Sequence, residues 1–295
     1  MNVYIIIPVF NEENHLQECI ESIINQTCIP KKLILVNDNS TDNSENILKK
    51  YSEFIPWINY INTKSNQVHL PGEKVVNTFY KGLNNIDSNY DIICKFDADI
   101  ILPKNYLESI TKIFLENPKV GIAGGNLYIK KNNKWVFEKI SSKDHVRGPI
   151  KAYRKKCFED IQGLRKSIGW DTVDVLIAQY NKWEIMTDKS LKVKHLKPTG
   201  KNYSYSSKLL HGEALYKMRF GLILSVISVL KTSISTGRLL MIIFAFFGYT
   251  TALIKRKERI VTKKEGKFIR KYRRKKIFSN LLKVLEILNL RFPQK

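Results

Sequence analysis

The chain is short of acids, of cysteine and of long apolar runs. Twenty-seven Asp and Glu stand against 50 Lys and Arg, a formal net charge of +23. A balance this basic points to an anionic partner: nucleic acid, a membrane surface or phosphorylated substrates. The four cysteines, Cys19, Cys28, Cys94 and Cys157, contain no CxxC pair. Their spacing argues against a disulfide framework and fits a reducing compartment. No uncharged run reaches the ~20 residues of a spanning helix. The N-terminal stretch "VYIIIPVF" has no basic segment before it, and "NEEN" follows where a cleavage site belongs. It reads as a buried strand and not as a signal peptide. There is no internal repeat and no long disordered linker.

What is present is an alternation. The 295 residues, 43% of them hydrophobic, suffice for one large domain or a catalytic domain with an appendage. "VYIIIP", "KKLILVND", "WINYIN" and "YDIICKFDAD" are β-branched or apolar runs of strand length. Between them lie helical periods: "EENHLQECIESIINQ", with Leu16, Cys19, Ile20, Ile23 and Ile24 on one face, then "STDNSENILKKYSEF" and "GEKVVNTFYKGLNNI". Asn11 or Asn14 is the expected cap of the first helix. Strand, helix, strand, helix at this spacing predicts an α/β fold with a mostly parallel sheet and right-handed crossovers. Ligands bind such sheets at the carboxyl ends of the strands. "ND" after the second strand and "DAD" after the fourth both fall there. After residue 105 the pattern loosens: "YLESITKIFLENP" and "DTVDVLIAQYNKW" read as helices, and "VGIAGGNLYI", "KWVFEKISS" and "IMTDKSLKVKHLKP" as extended segments.

Asp97 and Asp99 end an apolar run one residue apart. Unpaired acids are rare in buried strands because an ionised carboxylate away from water is costly. A divalent cation is one reason to gather them, since carboxylate oxygens suit Mg²⁺ and Mn²⁺. A turn that uses its Asp side chains as local caps is the other.

"IIIPVFNEENHLQECIESIINQ", "LILVNDNSTDNS" and "KFDADIILPKNYL", in this order and at these distances, closely resemble glycosyltransferase family 2, enzymes of the GT-A fold. The likeness covers about residues 1 to 200. It implies an inverting transfer from a nucleoside-diphosphate sugar, with Mn²⁺ or Mg²⁺ as cofactor. By that resemblance Asp99 is the direct metal ligand and Asp97 lies near the ribose and metal. Asp38 contacts the nucleotide base, and Asn37 stands where the family often has a second acid. Pro8, Phe10 and Glu12 match the segment lining the nucleoside pocket; as a strand terminator and a core residue, Pro8 and Phe10 also have a structural reading. "GLRKSIGWDTVDV" matches a Gly-rich turn before an acidic pair. The catalytic base is then Asp171 or Asp174, with Thr172 departing from the pattern. His195, in "VKHLKPTGKN", is a candidate for completing the metal site, and Arg147 for meeting an anionic acceptor or the diphosphate.

The expected organisation is a catalytic domain over residues 1–207, with a nucleotide-sugar half (1–104) and an acceptor half (105–207), followed by a membrane-associating tail (208–295). Residues 220–230 and 239–254 are uncharged, and 13 Lys or Arg against two Glu lie between Lys255 and Lys276. A helical hairpin in the membrane interface fits best, ahead of packing on the catalytic domain or a partner, and of true spanning. The positive-inside tendency places the enzyme on the cytoplasmic face. Location and family together imply a lipid-linked or cell-envelope glycan acceptor and an anionic membrane as partner. A sugar-nucleotide nucleotidyltransferase would carry a Gly-rich phosphate loop where this chain reads "PVFNEEN". A nucleic-acid-binding protein would interleave its basic residues with aromatics, instead of gathering many of them beyond an apolar hairpin.

Overall fold

The computed structural model describes residues 1–64, 72–138, 145–198, 205–237 and 240–287. The chain divides into two units, Met1–Asn202 and Tyr203–Lys295.

In the first unit the expected alternation forms β1 (Val3–Val9), α1 (Leu16–Ile24), β2 (Lys32–Asp38), α2 (Ser44–Phe54), β3 (Ile58–Thr63), α3 (Glu73–Leu83) and β4 (Ile92–Phe96). Then come β5 (Ile100–Ile101), α4 (Tyr106–Glu116), β6 (Val120–Lys131), β7 (Lys134–Phe137), β8 (Ile150–Arg154), α5 (Lys155–Asp160), α6 (Trp170–Tyr180) and β9 (Glu184–His195). One sheet runs β3-β2-β1-β4-β8-β6-β9-β5, with β7 on β6. It is parallel from β3 to β4. Beyond β4 it is mixed, because β8 enters antiparallel to both β4 and β6. The expectation of a mostly parallel sheet therefore holds for the first half alone. Alternation along the strands builds three layers. Val3, Ile5, Ile7 and Val9 share one core with Leu16 and Ile20 of α1 and Tyr106 and Ile110 of α4. Ile6, Ile34 and Val36 face the other way, onto Gly82 of α3. The β6–β9 ladder slips register twice, between Val120 and Ile122 and between Gly124 and Asn126. A Cβ on Gly125 would lie 2.4 Å from the Leu191 carbonyl oxygen, so only glycine fits there.

The loops that follow β1 and β2 are stitched to each other. Asn11, at φ 53°, does not cap α1. Its N–H donates to Ser40 Oγ (3.1 Å), and its side-chain oxygen accepts from the Thr41 N–H (2.8 Å). The Glu12 N–H donates to Ser44 Oγ (2.9 Å), and the Asn43 N–H to Glu13 (2.9 Å). Asp42 accepts from the N–H groups of Glu13 and Ser44, both at 3.0 Å. Much of "NEEN" and "NSTDNS" is thus spent on holding two strand ends together.

In the second unit α7 (Tyr205–Lys217), α8 (Leu222–Thr236), α9 (Leu240–Ile254) and α10 (Lys263–Ile287) follow one another. α7 and α9 cross at backbone distance. A Cβ on Gly212 would stand 1.8 Å from the Ala245 carbonyl oxygen, and one on Gly248 1.9 Å from that of Leu209. Glu213 ties the unit together, meeting Lys217 at 2.9 Å and Lys257 at 2.7 Å. Thr262 and Glu265 form a reciprocal capping box at the start of α10. Among the described residues no helix is long and apolar enough to cross a membrane.

Burial pushes the Asp42 carboxyl up, but hydrogen bonds from Ser44 and from backbone N–H groups outweigh it, and the net shift is downward. A depressed folded-state pKa stabilises above the unfolded value and is lost as pH falls through the folded one. Asp42→Ala is therefore expected to lower stability at pH 7. Urea unfolding followed against pH should show the gap to the parent closing as the solution becomes acid.

Candidate active site

A cavity of about 280 Å³ opens at the carboxyl ends of β1, β2 and β4. Pro8, Phe10 and Glu12 line it from β1 and its loop, Asp38 from β2, and Asp97 and Asp99 from the β4–β5 turn. Six residues singled out from three separate motifs thus share one space, because three parallel strands end side by side. Gly72, just before α3, and Lys74 and Thr78 of α3 add to the wall. Sequence reasoning did not single these out. Gly72 fits because a Cβ there would lie 2.6 Å from the Ser167 carbonyl oxygen. The start of α3 is thereby pressed against the loop that precedes α6.

Asp38 is 2% exposed. Its Oδ2 accepts from Thr78 Oγ1 at 3.2 Å and lies 3.4 Å from Lys74 Nζ. Lys74 Nζ also stands 3.7 Å from the centre of the Phe10 ring. Phe10 is 44% exposed, so it forms a rim and not a core. Asn37 braces the strand end. Its amide donates to Asn62 (2.8 Å) across the β2–β3 pair, and its oxygen accepts from the Ser40 N–H (3.2 Å).

The two acids of "DAD" differ. Asp97 is ion-paired with Lys95, and its N–H donates to the Pro149 carbonyl at 3.0 Å. Asp99 is buried beside His195, whose Nε2 is 3.6 Å from Oδ2. Burial, reinforced by the charge of Asp97, pushes the Asp99 carboxyl up to about 7. Burial alone would lower the His195 pKa, but the hydrogen bond to Glu138 (Nδ1 to Oε2, 3.1 Å) and the charge of Asp99 reverse this, and it is raised. His195 is seated between Asp99 and Glu138 and does not line the cavity. Arg147 is paired with the buried Glu138. Burial also raises Glu12, against the pull of Lys197 Nζ at 2.6 Å.

Among the described residues no cluster of three or more His, Cys, Asp or Glu could hold a metal ion by itself. The donor set nevertheless suits a hard divalent cation. Asp97 and Asp99 bring carboxylate oxygens to one cavity, and a positive charge there would offset both the burial and the repulsion that raise Asp99. Mg²⁺ and Mn²⁺ take one or two carboxylates and complete their shells with water and substrate phosphate.

The two candidate bases are separated by the fold. Asp174 is fully buried: its oxygens accept from Lys151 Nζ at 2.6 and 2.7 Å and from Tyr153 at 2.5 Å. No surface of Asp174 remains for a substrate hydroxyl. Asp171 opens α6 and is partly exposed. Its Oδ2 lies 3.4 Å from where a Cβ on Gly148 would stand. Gly148 precedes Pro149, the residue that accepts from the Asp97 N–H. Asp171 therefore lies beside the segment that bonds the Asp97 backbone, and it does not line the cavity. Lys95, Glu138 and Lys197 join the missed residues. The signal for Lys95 was present, as a lysine inside the apolar run "IICKF".

Comparison with known proteins agrees with this geometry. The family model for glycosyl transferase family 2 matches residues 4–164. The chain belongs to glycosyl transferase family 2. Glycosyltransferase GlyA of Streptococcus pneumoniae is 35% identical over 159 residues, 54% of this chain and 20% of that protein. The minor teichoic acid biosynthesis protein GgaA of Bacillus subtilis is 32% identical over 122 residues, 40% of this chain and 26% of that one. The matches thus span about a quarter or less of the length of these curated relatives. The mannosyltransferase PcManGT of Pyrobaculum calidifontis, solved with GDP-Man and Mn²⁺, superposes with a TM-score of 0.57 at 14% identity. That likeness covers 99% of this chain and 81% of the other, and it establishes the GT-A fold.

If Asp174 only balances Lys151, Asp174→Asn should destabilise the protein by ~3–5 kcal/mol, because it leaves a buried ammonium uncompensated. The double variant Lys151→Met/Asp174→Leu should recover most of that loss in urea unfolding. A double variant as unstable as the single one would show that the network does more than balance charge.

Proposed function

We propose that this chain transfers a sugar from a nucleoside-diphosphate sugar to a hydroxyl of a cell-envelope glycan. The observation that carries this reading is the gathering of Asp38, Asp97 and Asp99 in one cavity at the carboxyl ends of three parallel strands. Asp38 is set to accept from a base N–H, with Lys74 beside it as a donor. The exposed ring of Phe10 offers the base a face. Asp97 and Asp99 would hold Mn²⁺ or Mg²⁺, which neutralises charge building on the departing diphosphate. His195, turned towards Glu138, keeps Asp99 oriented. Asp171 takes the proton of the acceptor hydroxyl as it attacks the anomeric carbon. One displacement inverts the anomeric centre, and no enzyme nucleophile is needed. Support for an envelope acceptor comes from the relative named for teichoic acid biosynthesis. The net charge of +23 suits an acceptor carrying phosphate.

The second unit fits attachment to the cytoplasmic face of an anionic membrane. α8 leaves Ile223 and Ile234 each 73% exposed, and α9 leaves Phe247 57% and Ile254 81% exposed. Lys263, Lys264, Lys267, Lys271, Lys275 and Lys276 of α10 are exposed in the same unit. Apolar insertion and headgroup attraction reinforce each other where either alone would be marginal.

The test is a panel of UDP- and GDP-sugars with Mn²⁺ on the full chain, read as thermal stabilisation and donor turnover. One donor at about 100 times its Kd should add ~2.7 kcal/mol, and Asp99→Ala should abolish the effect. Asp171→Asn should keep donor binding and lose about 10²-fold or more in turnover. Stabilisation by no member of the panel would refute the donor assignment.

For the second unit, co-sedimentation with vesicles of anionic lipid should capture the full chain at low salt and release it only in part at high salt. A chain that stays in the supernatant at low salt contradicts membrane attachment.

A further inference from the structure

The described fold buries two lysines opposite each other. Lys95 of β4 pairs in register with Lys151 of β8 in an antiparallel ladder, so both side chains project from the same face. They are 2% and 0% exposed. Like charges at directly opposed positions repel, and a buried ammonium without a partner is costly. Lys151 is fully engaged. Its Nζ meets both oxygens of Asp174, at 2.6 and 2.7 Å, and donates to the Asp171 carbonyl at 2.5 Å. Lys95 is paired with Asp97, the carboxylate on the cavity wall, whose side chain is 31% exposed. The Trp170 ring serves both lysines: its centre is 5.1 Å from Lys95 Nζ and 5.6 Å from Lys151 Nζ. An indole face is the best aromatic partner for an ammonium. Lys95 therefore has two seats within reach of side-chain rotation, one anionic and one aromatic.

We propose that Lys95 is a resident counter-cation of the donor site. It holds Asp97 while no nucleotide is bound. It withdraws onto Trp170 when a divalent cation arrives with a diphosphate. A free divalent ion must displace the ammonium and add its own charge beside it. A metal–nucleotide complex brings phosphate charge that offsets the ion. The site thus discriminates against the bare ion and accepts the complex. This inference rests on the reading of Asp97 and Asp99 as the carboxylates that receive a divalent cation.

Binding to the full chain tests it, with Mn²⁺ alone as one probe and Mn²⁺ with UDP or GDP as the other. Free Mn²⁺ is counted by its paramagnetic resonance signal. Removing a unit charge a few ångströms away should strengthen binding of bare Mn²⁺ in Lys95→Met by about tenfold or more. Affinity for the Mn²⁺–nucleotide complex should move much less. Trp170→Leu, which removes the second seat, should weaken binding of the complex, and Lys95→Met in that background should restore it. A purely structural lysine gives a different result: both affinities of Lys95→Met fall together, and the double variant shows no rescue. That result, or unchanged binding of bare Mn²⁺, overturns the proposal. If Lys95→Met does not fold, Lys95→Gln carries the same comparison. Asp99→Ala separates the two levels. If it leaves Mn²⁺ binding of the parent chain intact, the metal reading itself fails, and Lys95 falls with it.

Discussion

Burial of charge is the constraint on which the catalytic unit depends. Asp38, Lys95, Asp99, Glu138, Arg147, Lys151, Asp174 and His195 are all less than a tenth exposed. An unpaired ion at any of these places would cost more than a typical core contact returns. The fold answers with opposite charges set pair by pair: Lys74 beside Asp38, Lys95 on Asp97, His195 and Arg147 around Glu138, Lys151 on Asp174. Within this lattice Asp99 is buried beside the like charge of Asp97, and burial first and that charge second raise its pKa. A cation is proposed to bind at this pair of carboxylates.

A second demand, the pairing of backbone groups at strand ends, occupies the motif residues that do not face the cavity. "NEEN" and "NSTDNS" are polar stretches at the ends of two adjacent parallel strands, where the last backbone groups need partners. Asn11, Asp42 and Ser44 supply them across the gap between loops. The strand ends become rigid, and Pro8, Phe10 and Asp38 are held at fixed separations. Binding residues on loops gain precision from scaffolds of this kind. Asn37, standing where the family often has an acid, joins the scaffold by bonding Asn62 on β3.

The two units meet different demands. The first hides its apolar residues on both faces of a sheet. The second leaves apolar residues of α8 and α9 exposed, and α9 is apolar nearly all round. Close crossing of α7 and α9 at Gly212 and Gly248 removes one face of α9 from solvent. Ile223, Phe247 and Ile254 stay outside. A soluble protein rarely leaves such residues together on its surface without a partner for them.

Much of the first unit was legible in the order of residues. Short apolar runs mark β1 through β4, of which the sheet buries β1, β2 and β4 on both faces. The 3.6-residue period marks α1 through α4, because burial of one helix face imposes it locally. The acids that end β2 and β4 were legible as ligand candidates, because a carboxylate after an apolar strand needs a reason. The short strands β5 and β8 and the helix α5 were not: too few residues carry a period there, and long-range pairing makes them. The sequence favoured Asp171 and kept Asp174, one helical turn on, as the alternative. The tertiary structure set them in different surroundings, with Lys151 and Tyr153 of β8 against Asp174 and Asp171 partly exposed beside Gly148. Likewise no local pattern announces that Lys95 faces Lys151, which lies far along the chain. Strand register decides which side chains meet, and register is a property of the whole sheet.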